Sequence, residues 1–224
     1  MSQSDSFIEE VTEEVRRDQM IALARRYGWI LAAVVIAIIG AVGFSEWRSS
    51  QADQAAQATG DAILAALSEN DSGDRAEALG TIADAGDADI VVAYLRAGEL
   101  AQAGNIAAAA TVLDAIAADA SLPLAYRQIA TFKSLTMQSG TLDADTRRAG
   151  FDALAAPGVS LRLLAEEQLA LLDIEAGADD AAITRLTAMI QDAEATPDLQ
   201  QRALQVIVAL GGNPDLQALG LDGN

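Results

Sequence analysis

The chain has 224 residues, 33 acidic and 14 basic side chains, no Cys and no His, and a formal net charge of −19. This composition excludes disulfides and thiol chemistry, and it removes the commonest general base and metal ligand. Residues 45–224 carry 27 acidic and 10 basic side chains, a charge of −17. Nucleic acid is excluded as a partner of such a surface, and we expect this part to stand away from anionic membranes.

Residues 1–26 predict an N-terminal helix. Ser6 and Glu9 have capping-box spacing. Apolar residues then recur at helical intervals, at Phe7, Ile8, Val11 and Val15. The helix either docks on a membrane partner or serves as an orientation and anchoring signal.

The next segment, GWILAAVVIAIIGAVGF over residues 28–44, contains no charged side chain. Extended to 27–47 it measures roughly 31 Å as a helix, close to the thickness of a bilayer core. Tyr27, Trp29 and Trp47 lie at its ends, where aromatic rings favour the headgroup level. We predict a transmembrane anchor over 27–47, with a buried core helix as the alternative.

The charges around this segment predict its orientation. Arg48 is the only basic residue between the segment and Arg75, whereas four arginines precede it: Arg16, Arg17, Arg25 and Arg26. The positive-inside rule therefore places the N-terminus in the cytoplasm and the C-terminal part on the far side. A signal peptide cleaved after Gly43 is less favoured, because 27 residues precede the apolar run.

Residues 48–74 predict an exit helix, ending near Asn70, and a turn at 70–74. From 75 to 211 a period appears: long apolar helices end at Gly104, Gly140, Gly177 and Gly211, spaced by 36, 37 and 34 residues. Shorter helical patterns follow the first three glycines, over 107–118, 144–154 and 181–193. Helix–turn–helix units of about 34 residues are typical of tetratricopeptide solenoids. We expect a final capping helix over 198–210 and a C-terminal tail over 212–224.

Small residues favour the same interpretation. Ala97 and Ala109 lie seven before and five after Gly104, and Ala170 and Ala182 hold these offsets from Gly177, where two helices of a hairpin approach closely. Lys133 and Asp145 take these places in the middle unit, which is therefore predicted to be degenerate. The predicted fold class is all-α, with one N-terminal transmembrane helix followed by a tetratricopeptide-like α-solenoid of helical hairpins. Chance periodicity in a generic antiparallel bundle is the alternative.

No catalytic, cofactor-binding or metal-binding constellation stands out in the chain. The acidic clusters at 70–74, 84–89 and 179–180 lack the spacing of a calcium loop, and helix capping explains them. We therefore predict a non-enzyme, with a carboxylate-only muramidase as a remote alternative. Candidate contacts for a partner are Tyr94, Tyr126, Arg127 and Phe132, since aromatic residues and Arg dominate interface energetics. The alternative is that the aromatic residues belong to the core.

Taken together, SFIEEVTEEVRRDQMIALARRYG, one apolar span, the exit sequence FSEWR and the Ala-rich repeat region resemble a known family. It is the family of the ancillary subunit of the SecYEG translocon, in its α-proteobacterial branch. The resemblance implies a single-pass protein of the bacterial inner membrane, with a cytoplasmic N-terminus and a periplasmic repeat domain. Its implied partners are translocon subunits and periplasmic chaperones, to which emerging chains are handed. The alternative function is a scaffold for envelope or cell-division machinery.

Overall fold

The computed structural model of the chain describes residues 3–83 and 85–212, with the side chains of residues 3–24, 28, 31, 32, 35 and 87 outside that description. These residues form nine α-helices and a short 3-10 turn at Gly86–Ala88, and none of them forms a strand. The all-α prediction is therefore confirmed. The helices are α1 (Gln3–Leu67), α2 (Ser72–Gly80), α3 (Asp89–Gln102), α4 (Ile106–Ala118), α5 (Leu124–Met137), α6 (Ala144–Leu154), α7 (Arg162–Glu175), α8 (Asp179–Ile190) and α9 (Pro197–Ala209).

The chain divides into two compact units, Met1–Ala58 and Thr59–Asn224. In the first unit, each described large apolar side chain from Tyr27 to Trp47 has between 41% and 69% of its surface exposed. Among the residues with described side chains, no helix combines the length and the apolar character that crossing a membrane requires. The predicted span 27–47 includes four residues outside that description: Gly28, Leu31, Ala32 and Val35.

The described part of the second unit has a series of four small cores, each built from three consecutive helices. The first core joins the end of α1 to α2 and α3 through Ala66, Leu79 and Val92. The next three join α3–α5, α5–α7 and α7–α9 in the same way. Helices α3, α5 and α7 each contribute to two successive cores, and we refer to the odd-numbered helices together as the odd-numbered layer. The even-numbered helices each contribute to a single core, and we refer to them as the other layer.

Glycines in the left-handed conformation follow three of the four long helices at the predicted places. Gly104, Gly177 and Gly211 have φ angles of 79°, 73° and 79° and lie just beyond α3, α7 and α9. Glycine takes this conformation without the steric cost that a Cβ atom brings. After Gly104 and Gly177 the chain can therefore turn sharply and begin α4 and α8 within two residues.

The prediction is wrong at Gly140. Helix α5 already ends at Met137, and Gly140 is not left-handed. The main-chain N–H groups of Thr141 and Leu142 both donate to the carbonyl of Gln138, at 3.0 and 2.9 Å. The chain thus leaves α5 through turns that need no positive φ, and the Asp143 carboxylate then caps α6 by accepting from the Thr146 N–H at 2.8 Å.

The four alanines at the predicted close-approach positions are buried, with at most 1% of their surface exposed. Lys133 and Asp145, which replace them in the middle unit, are exposed. In that unit Gly150 provides the close approach, because a Cβ atom there would lie 2.5 Å from Cδ1 of Leu135. The middle hairpin therefore packs in a different register from its neighbours.

Helix α2 is not predicted from the sequence. Helix α1 ends at Leu67, before the predicted Asn70, and the predicted turn at 70–74 runs into α2 from Ser72. Asp71 caps this new helix by accepting from the Gly73 N–H at 2.7 Å. Helix α6 has the predicted bounds, whereas α8 ends at Ile190, three residues early. The side chains of the N-terminal helix up to residue 24 and all residues after Gly212 lie outside the described residues. The predictions that lie outside the described residues are therefore the capping box, Arg16, Arg17 and the tail beyond Gly212.

Candidate interaction surface

In the described part of the second unit, the large apolar side chains that remain exposed all belong to odd-numbered helices. Isolated exposed apolar side chains are ordinary on protein surfaces, so their restriction to one layer is the informative feature. They are Leu64 on α1, Val91 on α3, Leu124 and Tyr126 on α5, Leu171 on α7 and Val208 on α9, with 39–68% of their surface exposed. This layer is the candidate interaction surface.

Two of the predicted contacts, Tyr94 and Tyr126, join α3 to α5. The Tyr94 hydroxyl donates to the main-chain carbonyl of Tyr126 at 2.7 Å, and its ring packs against the second core. Burial raises the pKa of Tyr94, and the neighbouring Tyr126 adds to this effect. Tyr126 itself has 44% of its surface exposed. Tyr94 is therefore a packing residue, whereas Tyr126 remains available to a partner.

The other two predicted contacts, Phe132 and Arg127, serve the fold. Phe132 packs edge-to-face against Phe151 of α6, with ring centroids 5.7 Å apart, in the third core. The Arg127 guanidinium donates to the carbonyl of Ala117 at 3.3 Å and so satisfies the end of α4. The alternative that some of these residues belong to the core therefore holds for Tyr94 and Phe132.

The exposed residues that the sequence did not single out as partner contacts are Leu64, Val91, Leu124, Leu171 and Val208. Leu171 shows why the sequence alone does not identify them. In the run Leu169–Asp173 its four neighbours are buried, and Leu171 alone points away from the buried stripe with 39% of its surface exposed. An apolar residue outside the buried stripe of an amphipathic helix is the pattern that identifies such positions.

Ion pairs involve six of the nine described basic side chains of the second unit; five of these arginines pair with another helix, and Arg162 pairs with the segment between α8 and α9. Asp173 on α7, almost fully buried, accepts from Arg148 of α6 at 2.8 Å and from Arg185 of α8 at 3.1 Å. Arg185 also pairs with Glu166 on α7. The remaining pairs are Arg75–Glu99, Arg147–Glu175, Arg162 with Asp192 and Glu194, and Arg202–Glu167. These arginines hold neighbouring helices together.

The carboxylates divide between the two layers. On the described helices α3, α5, α7 and α9, all acidic residues except Asp89 and Asp198 form ion pairs. None of the acidic residues on the described even-numbered helices has a basic side chain within ion-pair distance; they are Asp74, Glu77, Asp114, Asp145, Asp152, Asp179 and Asp180. Most carboxylates on α3, α5, α7 and α9 are therefore paired, whereas those on the even-numbered helices, like Asp61 on α1, have no basic partner among the described side chains.

Two surface grooves lie near the C-terminal end of the described region, and each is lined by two arginines, of which Arg162 is shared. A groove of about 490 Å³ between α7 and α8 holds Arg162 and Arg185, which pair with Asp192 and Glu166 in its wall. A second, of about 620 Å³ between α7 and α9, holds Arg162 and Arg202. Main-chain hydrogen bonding from Glu194 and the guanidinium of Arg162 lower the pKa of Asp192. The arginines of both grooves are therefore neutralised by the carboxylates with which they pair.

The acidic clusters seen in the sequence cap helices and turns where they are described. Asp71 caps α2, Asp89 accepts from the Ala85 N–H at 2.9 Å, and Asp179 and Asp180 occupy the first turn of α8. Asp84 and the Asp87 side chain lie outside the described residues. Within the described side chains no group of three or more acidic residues is arranged to hold a metal ion.

Comparison with protein-family models, with curated proteins and with solved structures finds no match to this chain.

Proposed function

We propose that this chain is a membrane-anchored protein-interaction module whose helical repeat stack binds polypeptide partners. The observation that carries the proposal is the restriction of exposed large apolar side chains to the odd-numbered layer of the described second unit. Four serial cores, each of three helices, support a solenoid of tetratricopeptide type, because in such stacks each repeat contacts only its neighbours. An extended layer of this kind can follow a segment of another chain.

The anchor in this proposal is the segment 27–47. Its described apolar side chains are exposed all around the helix, with Trp29 at 69% and Trp47 at 61%. In water such a band is unfavourable by roughly 25 cal/mol for each Å² of apolar surface, whereas lipid removes that cost. The arginines before the segment place the N-terminus in the cytoplasm and the stack in the periplasm.

The resemblance of the N-terminal segment to the ancillary translocon subunits supplies the partners in this proposal. The stack stands beside the Sec translocon and links emerging chains to periplasmic chaperones. A net charge of −17 over residues 45–224 suits this place, since it keeps the stack clear of anionic headgroups. The role is binding, without catalysis.

Site-specific photo-crosslinking in the intact membrane tests the proposal. Tyr126→benzoylphenylalanine places the probe on the exposed layer, and Asp152→benzoylphenylalanine places it on the acidic layer as a matched control. We expect translocon subunits and periplasmic chaperones to crosslink at position 126 and not at position 152. Crosslinking of envelope-assembly or division proteins at position 126 would instead support the scaffold function. Equal crosslinking at both positions would contradict the odd-numbered layer as the binding surface.

A further inference from the structure

A third groove, of about 510 Å³, lies between α4, α5 and α6 and differs in composition from the other two. Its apolar lining comes from Ala117, Ala118, Leu135 and Leu142, and its polar lining comes from Asp114, Thr131, Ser134, Gln138 and Thr146. The volume is within the usual range of ligand sites. Unlike the grooves beside α7, this one contains no basic residue in its lining.

The side-chain donors in this groove are already used. The Ser134 hydroxyl, almost fully buried, donates to Oδ1 of Asp114 at 2.6 Å, and Gln138 Nε2 donates to Ser134 Oγ at 2.9 Å. The Thr131 hydroxyl donates to the Arg127 carbonyl at 3.0 Å, and the Thr146 hydroxyl donates to Asp143 at 2.8 Å. The groove therefore offers acceptors: free hydroxyl lone pairs and the carboxylate of Asp114.

Two arginines contact the backbone of lining residues without lining the groove themselves: Arg127 Nε donates to the carbonyl of Ala117 and Arg147 Nε to the carbonyl of Leu142, each at 3.3 Å. Arg147 also binds Glu175 through both terminal nitrogens, at 3.3 and 2.6 Å. Among the described side chains, none places a cation within ion-pair distance of Asp114. The exposed Asp114 carboxylate thus lies on the wall of an acceptor-lined, partly apolar groove and has no positive counterpart among the described side chains.

We propose that this groove receives an arginine side chain of a polypeptide partner. The guanidinium carries five N–H donors and no acceptor, and it therefore complements a groove whose own side-chain donors already form hydrogen bonds. Its carbon stem would pack on Leu135 and Leu142, and its head would pair with Asp114. The proposal rests on the proposed function in one respect, namely that the partner is a polypeptide.

Peptide binding to the full-length protein in mild detergent tests the assignment. The probe is a fluorescent nine-residue peptide of Ala, Leu and Ser with one central Arg, and its matched control has citrulline, the uncharged isostere, in place of Arg. We expect citrulline to weaken binding by about fivefold, the upper end of what loss of one exposed ion pair implies. Asp114→Asn should weaken binding of the Arg peptide equally, because Asn still accepts the Ser134 hydrogen bond but carries no charge. Thermal unfolding followed by circular dichroism verifies that the variant is folded.

The control variant is Asp152→Asn, which removes the same charge from the exposed part of α6, outside the groove. Its affinity for the Arg peptide should match that of the wild-type protein. Equal weakening by Asp114→Asn and Asp152→Asn would assign the effect to the general acidic field and overturn the site. Equal binding of the Arg and citrulline peptides, or binding of neither, would also overturn it.

The crosslinking experiment at position 126 distinguishes failure of the groove assignment from failure of the proposed function. If partners still crosslink at Tyr126 while the Arg peptide shows no dependence on Asp114, the interaction module stands and the groove assignment is wrong. If the Arg peptide binds through Asp114 but no protein partner crosslinks at position 126, the groove binds arginine and the proposed binding layer is wrong.

Discussion

The Tyr94 hydroxyl on α3 donates a hydrogen bond of 2.7 Å to the main-chain carbonyl of Tyr126 in the first turn of α5. The two residues are 32 positions apart, close to one predicted repeat length. The bond joins two helices of the same layer directly, across the helix that lies between them in the chain. It therefore fixes the spacing of the exposed layer at the place where Tyr126 is presented to a partner.

Removing this hydroxyl should destabilise the stack. We expect Tyr94→Phe to lower the free energy of unfolding by about 1 kcal/mol, the usual net contribution of such a hydrogen bond. Tyr126→Phe is the matched control, since the interaction uses the main-chain carbonyl of Tyr126 and should survive. Urea unfolding of the full-length protein, followed by circular dichroism at 222 nm, measures both. Equal stability of Tyr94→Phe and wild type would show that the bond contributes nothing.

The crossing of α5 and α6 should be sensitive to a single methyl group. Gly150→Ala would place Cβ 2.5 Å from Cδ1 of Leu135, a side chain with only 9% of its surface exposed and little room to move. We expect a loss of about 1–3 kcal/mol in the free energy of unfolding, as for other overpacked sites.

The control for this crossing is Gly98→Ala on α3, where a Cβ atom meets nothing within 4 Å. That variant should be neutral or stabilising, because Ala favours a helix over Gly. Adding Leu135→Ala to Gly150→Ala should cost less than the sum of the two single substitutions, since the smaller side chain makes room for the methyl group. Additive losses would mean that the two residues do not press on one another.

Much of the helix pattern could be predicted from the sequence, because glycines and caps act locally. The bounds of α6 follow from Asp143 and the apolar spacing after it, and Gly104, Gly177 and Gly211 end their helices as expected. Helix α2 could not be predicted in this way. Its nine residues follow a strong turn sequence, and its apolar contacts lie on α1 and α3.

The middle hairpin and the candidate surface depend on tertiary packing, which the sequence does not display. The repeat offsets predict Lys133 and Asp145 at the crossing of α5 and α6, but the residue in close approach there is Gly150. Likewise its aromatic side chain makes Phe132 a candidate contact, and only the position of Phe151 shows that it packs inward. Leu171 and Val208 are ordinary apolar residues until their neighbours are known to be buried.

The Arg147–Glu175 pair should make stability depend on pH in the acid range. Hydrogen bonding to Arg147 lowers the pKa of Glu175 below its usual 4.5, so folding favours the carboxylate. The contribution is therefore complete above pH 4.5 and is lost as the pH falls through the lowered pKa. Glu175→Gln should cost about 1 kcal/mol at pH 7, kept small by solvent screening of the half-exposed Glu175, and this difference from wild type should shrink in acid.

Glu77→Gln is the control for that titration, because Glu77 on α2 forms no ion pair among the described side chains. Its stability should follow the wild-type curve at every pH. Urea unfolding at pH 7 and at steps down to pH 3 measures the three proteins. A difference between Glu175→Gln and wild type that stays constant over this range would contradict the carboxylate as the source.

The orientation of the proposed anchor should depend on the basic residues that precede it. These residues are Arg16, Arg17, Arg25 and Arg26. Changing all four to Gln should lower the fraction of chains whose C-terminus lies on the far side of the membrane, since charge bias near the span sets the topology. Paired reporters fused after Asn224, one active only in the periplasm and one only in the cytoplasm, measure that fraction. The control replaces Glu9, Glu10, Glu13 and Glu14 with Gln, which should leave the topology unchanged because acidic residues contribute little to the bias. If the arginine variant kept its full periplasmic signal, or if the wild-type fusion were active only in the cytoplasm, the proposed orientation would be wrong.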